Sequence, residues 1–364
     1  MKSVILYYSK GLIFPKGGAQ SAGREQLIHL IKNLSLYEID LIPITDYDEG
    51  IIEGIHVTNI FPKYMKYIPF NFIYENKYFE FYLNKKISRM IDFIHIHCYG
   101  PFYPNIKNVK VLMTLHDEMG YVGPKNLKSF PVFIEYLYQS LCQKIRISAI
   151  KNVNAVQCLS MEIYNQLAVI NNFLKLELIP NGNQIEIPNL TKSQKDRICK
   201  YILFIGPIEF RKGFGELINI IKYLPINYQF LVIGKIAPIW GIHYLTRIIN
   251  HPRIHFLGFV SNEYKNFLLS NVDLFFSNSK SEASQLAVIE ALNVGCNVLM
   301  TNTGRNFYLK NIPFVNNNAS PSIKAKKIIE VLQNPPKNIL DNYPTWDDIA
   351  KDILGFYNKL LNNN

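Results

Sequence analysis

The chain has 364 residues, 48% of them hydrophobic and 18% charged. This balance excludes a disordered chain, and the length suits two domains better than one core. No apolar run reaches the ~20 residues of a membrane-spanning helix. The five cysteines are widely spaced with no CxxC, which argues against a disulfide framework or a zinc site and for a reducing cytoplasm. The formal charge of +11 is spread along the chain, with 19 basic and 15 acidic residues in 1–183 and 20 and 13 in 184–364. It reads either as a solvated surface or as affinity for polyanions such as nucleotide phosphates. No Lys/Arg stripe interleaved with stacking aromatics stands out, so nucleic acid is not an expected partner.

In chain order, SVILYYS (3–9) reads as a first strand, too short in its apolar run for a signal peptide. KGGAQSAGREQLIHLIKNL (16–34) reads as a Gly-rich loop feeding a helix. DFIHIHCYG (92–100), KVLMTLHD (110–117), NAVQCLS (154–160) and LELIPNG (176–182) read as further strands. Residues 184–200, polar and interrupted by Pro188, read as a linker. The pattern then restarts with YILFIG (201–206), a loop, a helix over 216–224, and strands at 228–235, 253–260 and 272–279. YPTWDDIAKDILGFYNKLL (343–361) predicts a C-terminal helix capped by Thr345, with acids in its first turn. Short apolar strands alternating with amphipathic helices are the pattern of parallel α/β sheets. The expected organisation is a Rossmann-like domain over 1–183, a linker over 184–200, a second such domain over 201–342, and a helix over 343–364 returning toward the first domain.

SKSEASQLAVIEALNVGCNVLMTNTG (279–304) raises a specific question, because Glu290 sits inside an otherwise apolar run. VDLFFSNS predicts a strand, KSEAS a loop, and QLAVIEALNV a helix closed by Gly295 in the left-handed region. Glu282 then lies in the loop, and Glu290 about five residues into the helix, roughly 8 Å along its axis. The helix N-terminus between them is a natural anion site. Two carboxylates flanking a phosphate site match the order of a nucleotide sugar: ribose hydroxyls, diphosphate, hexose hydroxyls. A buried glutamate needs donors, and a ribose diol supplies them.

These residues carry a resemblance. The segment resembles the C-terminal domain of retaining glycosyltransferases of family 4, whose signature is the same pair of glutamates with seven residues between. ILFIGPIEFRKGFGELI (202–218), LVIG (231–234) and IHFLGFVSNEYKNFLLSNVDLFFSNS (254–279) are similar to that family's preceding elements. PKGGAQ (15–20), DFIHIH (92–97), TLHD (114–117) and LIPNG (178–182) follow its order more loosely. The resemblance implies a GT-B fold, two facing Rossmann-like domains with a deep interdomain cleft. It implies that Glu290 holds the donor's ribose, Glu282 the transferred hexose, and the backbone N–H groups of Ser284, Gln285 and Leu286 the phosphate or hexose. Arg211 and Lys212 would stabilise the leaving diphosphate, His116 would sit beside the hexose, and Gly17–Gly18 would let backbone approach the diphosphate. Two departures are visible: Pro207 stands where the family usually has Arg, and Ala283-Ser284-Gln285 replaces Gly-Phe-Gly.

The implied function is transfer of a hexose, with retention, from a nucleotide-diphosphate sugar to a hydroxyl of a glycan, lipid-linked or small-molecule acceptor. The alternatives are a nucleotide-sugar epimerase of similar fold and a catalytically degenerate glycan- or nucleotide-binding protein. No obligatory cofactor and no metal are expected. Asp46-Tyr47-Asp48 resembles the metal-binding Asp-x-Asp of a different glycosyltransferase fold but follows an early strand of the first domain. His95 and His97 read as packing residues. The stretches 75–93 and 136–153 mix aromatics, aliphatics and Lys/Arg at helical spacing. They read as core-facing helices with basic outer faces or as peripheral contacts with the inner face of a membrane.

Overall fold

The computed structural model describes residues 3–15, 17–67, 71–86, 91–98, 102–104, 106, 109–118, 130–170, 174–183, 198–237, 240–336, 340 and 342–362. They fall into two units. The first comprises Met1–Gly120, Leu141–Asn183 and Pro344–Asn364, and the second Tyr121–Ser140 and Gln184–Tyr343.

The first unit runs β1 (Ser3–Tyr8), α1 (Gly18–Asn33), β2 (Ile39–Thr45), β3 (Gly50–Ile52), β4 (Ile55–Asn59), α2 (Asn71–Lys86), β5 (Phe93–Cys98) and β6 (Lys110–Leu115). It continues through the latter part of α3 (Phe130–Ile150), then β7 (Ala155–Cys158), α4 (Met161–Ile170) and β8 (Lys175–Leu178). The sheet order is β3-β4-β2-β1-β5-β6-β7-β8. Its pairings are parallel except for the β3–β4 hairpin at one edge. Ile5, Leu6, Tyr7 and Tyr8 of β1 are all fully buried, as a central strand covered on both faces requires.

The second unit runs β9 (Lys200–Ile205), α5 (Leu217–Ile220), β10 (Tyr228–Ile233), α6 (Trp240–Thr246), β11 (Ile254–Gly258), α7 (Asn262–Asn271), β12 (Leu274–Ser277), α8 (Leu286–Asn293), β13 (Val298–Thr301), β14 (Phe314–Val315) and α9 (Pro321–Gln333). Its order is β11-β10-β9-β12-β13-β14, parallel throughout. The sheet buries both faces, which is why YILFI is apolar without alternation. Ile202 and Phe204 face a core with Phe214, Leu217 and Ile328, while Leu203 faces a second core with Leu269, Val288 and Leu292. Strand order reverses between β9 and β12. In such sheets ligands bind outside the carboxyl ends of the strands at this switch point.

The chain returns to the first unit as α10 (Trp346–Asn362). Thr345 caps it reciprocally: its Oγ1 accepts the Asp348 N–H at 3.2 Å, and Asp348 Oδ2 accepts the Thr345 N–H at 3.0 Å. The helix lies on α1, with His29 Nδ1 2.7 Å from Asp347 Oδ1, and Tyr357 reaches into the sheet at His95.

Three features differ from the sequence reading. Helix 216–224 is broken into a four-residue α5 between two 3₁₀ turns, Phe214–Glu216 and Ile221–Tyr223. Three β-branched isoleucines and the following Pro225 weaken a longer helix there. Of the expected linker, 184–197 lies outside the described residues, and Lys200 already opens β9. Residues 130–140 group with the second unit, because Val132 enters its core and Glu135 accepts hydrogen bonds from Phe210 and Tyr244.

Of the stretch 75–93, residues 87–90 lie outside the described residues. The rest is mainly α2, which buries Glu75, Asn76, Phe79 and Leu83 and exposes Tyr74, Lys77 and Phe81. Among the described residues, no helix is long and apolar enough to cross a membrane.

Candidate active site

The loops leaving β9 and β12 meet at the switch point of the second sheet. The first, residues 206–213, carries Arg211 and Lys212; the second, residues 278–285, carries Glu282. Gly213 makes the close approach possible. It sits at φ +70°, and a Cβ there would lie 2.0 Å from the Asn278 carbonyl oxygen. Hydrogen bonds lace the loops together. Asn278 Nδ2 donates to the Gly213 carbonyl at 2.9 Å, the Lys280 N–H to that of Arg211 at 2.6 Å, and Arg211 Nη1 to that of Ser281 at 3.4 Å.

Glu282 is 6% exposed and ion-paired. Lys212 Nζ donates to its Oε1, Ser279 Oγ donates to the same oxygen at 2.6 Å, and Arg211 Nη1 lies 3.6 Å from Oε2. Burial pushes the carboxyl up, but Lys212 and then Arg211 outweigh it and hold it below the ordinary range. It is therefore an anion at neutral pH. Arg211 is held from its other side by Glu209, at 2.9 and 3.1 Å. In the structure Glu282 and the two cations pair with each other. A diphosphate reaching Lys212 competes with this carboxylate.

The helix begins one residue later than expected, at Leu286, with Gln285 at its N-cap. Gln285 Nε2 donates to the carbonyls of Thr303 and Thr301, tying the helix start to the loop after β13. Gln285 Oε1 and Ser284 Oγ are buried without a partner among the described residues. Both are groups that a hydroxyl-bearing ligand could satisfy. Val288 and Ile289 give their N–H groups to the Gln285 carbonyl, so the helix's earlier amides lie ahead of its own hydrogen-bond ladder. Gly295 ends the helix at φ +66°.

Glu290 corrects the reading of AVIEAL. At 100° per residue, Val288, Ile289, Ala291 and Leu292 share the buried side and Glu290 points away from it. Its side chain is 41% exposed, and Oε1 pairs with Lys265 Nζ at 2.8 Å. The helix needs no ribose to justify this carboxylate.

Several supporting residues escaped the sequence reading. Gly304 has φ +60°, and a Cβ there would lie 2.6 Å from Glu282 Cβ, so only glycine lets this turn back the glutamate. Lys324, fully buried on α9, lies 2.6 Å from Glu216 Oε2, 2.7 Å from Asn278 Oδ1 and 3.1 Å from the Asn317 carbonyl. Burial lowers its pKa to about 8 against the pull of Glu216. It joins Glu216, in the turn that follows the first loop, to Asn278 of the second. Its spacing with Ile328 and Val331, on one helical face, was the available signal.

The remaining expected residues lie in the first unit. Gly17 caps α1 in extended conformation and Gly18 begins the helix. Among the described residues, no atom beyond its chain neighbours approaches within 4 Å of a Cβ placed on Gly17. Gly23 is the tight position, where a Cβ would meet Ser9 Oγ at 2.3 Å. His116 follows β6, stacked on His97 at 5.1 Å with Nε2 2.9 Å from His97 Nδ1. His97 Nε2 lies 2.7 Å from the Tyr7 hydroxyl, and His95 bridges the Tyr357 and Thr114 hydroxyls. His95 and His97 are thus packing and hydrogen-bonding residues. Among the described residues, no group of three or more His, Cys, Asp or Glu could hold a metal ion. Asp46 Oδ1 instead accepts the Gly11 N–H at 2.8 Å.

Burial lowers His95 to about 3 and His116 to about 4, the latter against Asp117. Depressed folded values mean that stability present above about pH 6.5 is lost as pH falls toward 4 and 3. The melting temperature is expected to fall by roughly 5 °C or more between pH 7 and 5. His95→Gln should flatten that slope, and an unchanged slope would contradict neutral burial.

Residues 188–341 match the family model of the glycosyl transferases group 1. A Klebsiella pneumoniae protein, described only as an uncharacterized 41.2 kDa protein in the cps region, is 27% identical over 139 residues. That match spans 38% of this chain and 37% of the relative. Among solved structures, sucrose-phosphate synthase from Thermosynechococcus elongatus aligns over 100% of both chains, with TM-score 0.72 and 17% identity. Starch synthase IV from Arabidopsis thaliana, bound to ADP and acarbose, aligns over 99% of both chains with TM-score 0.65 and 13% identity. Anabaena HepE in complex with UDP-glucose aligns over 98% of this chain and 99% of its own, with TM-score 0.64 and 16% identity. The chain thus has the fold of the GT-B glycosyltransferases, and its residues 188–341 match the model of the glycosyl transferases group 1.

Proposed function

We propose that the protein is a retaining glycosyltransferase that moves a hexose from a nucleotide-diphosphate sugar to a hydroxyl of a glycan, lipid-linked or small-molecule acceptor. The observation that carries this reading is the cluster of Lys212, Arg211 and Glu282 at the switch point of the second sheet, beside the N-terminus of α8. Fixed cations beside helix amides suit a diphosphate that gains charge as it leaves. Glu282 then turns from the cations to the hexose hydroxyls, and Ser284 and Gln285 add hydrogen-bonding atoms at the same helix start. In the proposed step the bond from hexose C1 to the phosphate oxygen breaks. The acceptor oxygen bonds C1 on the same face, and its proton passes to the leaving phosphate oxygen. Lys212 and Arg211 stabilise that oxygen. The ribose contact of Glu290 requires displacement of Lys265. The roles of His116 and Gly17–Gly18 rest on the family resemblance.

The test is release of nucleotide diphosphate from a panel of UDP-, GDP- and ADP-sugars, with and without glycan and lipid-linked acceptors. Acceptor-dependent release is expected. Conversion of the donor alone would indicate an epimerase, and tight binding without turnover a binding protein. Peripheral membrane contact belongs to the same proposal, on the exposed Lys63, Tyr64, Lys66 and Tyr67 and the outer face of α2. Sedimentation with phosphatidylglycerol vesicles but not phosphatidylcholine vesicles is the expected result.

A further inference from the structure

We propose that Glu135 is a positioning residue for the cation loop: helix α3 delivers its carboxylate to residues 207–213, and that carboxylate sets how Arg211 meets the diphosphate of a donor. The inference rests on the functional reading above and adds to it a residue outside the glutamate pair.

Glu135 is fully buried within the second unit. Its Oε1 accepts the Phe210 N–H at 3.3 Å, and its Oε2 accepts the Tyr244 hydroxyl at 3.1 Å. Phe210 lies between Glu209 and Arg211 in sequence. Glu209 holds the Arg211 guanidinium, and Arg211 extends to Glu282. A continuous row therefore runs from Glu135 through the loop backbone to the carboxylate of the candidate site. A side chain that moves Phe210 moves Arg211 with it.

The charged and titratable groups facing Glu135 are Glu209 and Arg211 on the loop and Tyr244 on α6, with Arg247 beside Tyr244. Burial, then the charge of Glu209, raises the Glu135 carboxyl to about 7, against the Tyr244 and Phe210 hydrogen bonds and Arg211. Below neutral pH it is a neutral acid and Arg211 keeps its full attraction for an anion. Above neutral pH a second carboxylate stands behind the loop and opposes the diphosphate.

UDP-glucose is the suitable probe, because both its phosphates are esterified and its charge is constant across neutral pH. Calorimetry at pH 6, 7 and 8 is expected to show wild-type affinity weakening about threefold or more with rising pH. Glu135→Gln should hold the pH 6 affinity throughout, and Glu135→Ala should bind more weakly at every pH. A ligand-free readout accompanies this. A raised carboxyl gives stability that is lost as pH rises through about 7, which opposes the gain from the buried histidines, so between pH 5 and 8 the melting temperature of Glu135→Gln should rise more than that of wild type. A Glu135→Gln variant that repeats the wild-type affinity profile overturns the role of Glu135 and leaves the functional reading standing. No binding of UDP-glucose, nor of any other UDP-, GDP- or ADP-sugar, by any variant at any pH overturns the donor reading and this proposal with it.

Discussion

Glu282→Gln is expected to lower turnover by about 10²–10³ while tightening the binding of UDP. The two effects have one cause. The carboxylate is an anion that Lys212, Arg211 and Ser279 hold together, so it competes for the cations that a diphosphate needs. The amide removes that competitor and frees Lys212. It also removes the charge proposed to act beside the reacting carbon, and fixed charges there typically supply a few kcal/mol of transition-state stabilisation. Lys212→Met gives the complementary result, weaker UDP binding by about tenfold or more and reduced turnover, because it is Lys212 first that keeps Glu282 ionised. Steady-state kinetics with and without acceptor, together with UDP calorimetry, separate the two terms. Wild-type turnover in Glu282→Gln would remove Glu282 from the chemistry. Unchanged UDP affinity in both variants would place the diphosphate elsewhere.

Much of this site was legible in the sequence because its parts follow local rules. The strand–loop–helix unit around Glu282 announces itself through a continuous apolar strand, a polar loop and an apolar helix closed by glycine, and it folds that way. The same rules misplace Glu290. A run such as AVIEAL suggests burial by composition, but a helix has faces, and Glu290 lies opposite the centre of the arc formed by Val288, Ile289, Ala291 and Leu292 and so is outside. FIEYL, around Glu135, presents the same pattern with the opposite outcome, since there the carboxylate is fully buried. What separates the two is tertiary: Glu290 meets Lys265 with its own side chain 41% exposed, whereas Phe210 and Tyr244 meet Glu135 in the interior. Pairs such as Lys324 with Glu216, 108 residues apart in sequence, have no local signature. The grouping of residues 130–140 with the second unit is of the same kind, fixed by partners more than 70 residues downstream.

Gly213→Ala is expected to destabilise the second unit by about 2–4 kcal/mol and to abolish most of the activity that remains in the folded fraction. Two costs combine. An alanine at φ +70° carries roughly 1 kcal/mol or more of backbone strain. The added methyl would stand 2.0 Å from the Asn278 carbonyl oxygen and 2.7 Å from its side-chain amide, and a clash with backbone forces one of the two loops to move. Neither loop moves alone. Asn278 is also bound to Gly213, Glu216 and Lys324, and the Lys280 N–H holds the Arg211 carbonyl, so separating the loops pulls Lys212 away from Glu282. Gly304→Ala presses on Glu282 from the other side, meeting its Cβ at 2.6 Å, without touching the Gly213–Asn278 contact. Urea denaturation and UDP binding, measured on both variants, tell the effects apart. Gly213→Ala should lose stability and UDP affinity together, whereas Gly304→Ala, with Lys212 and Arg211 left in place, should lose turnover more than UDP affinity. Equal UDP binding and wild-type stability in Gly213→Ala would show that the two loops are not joined as described.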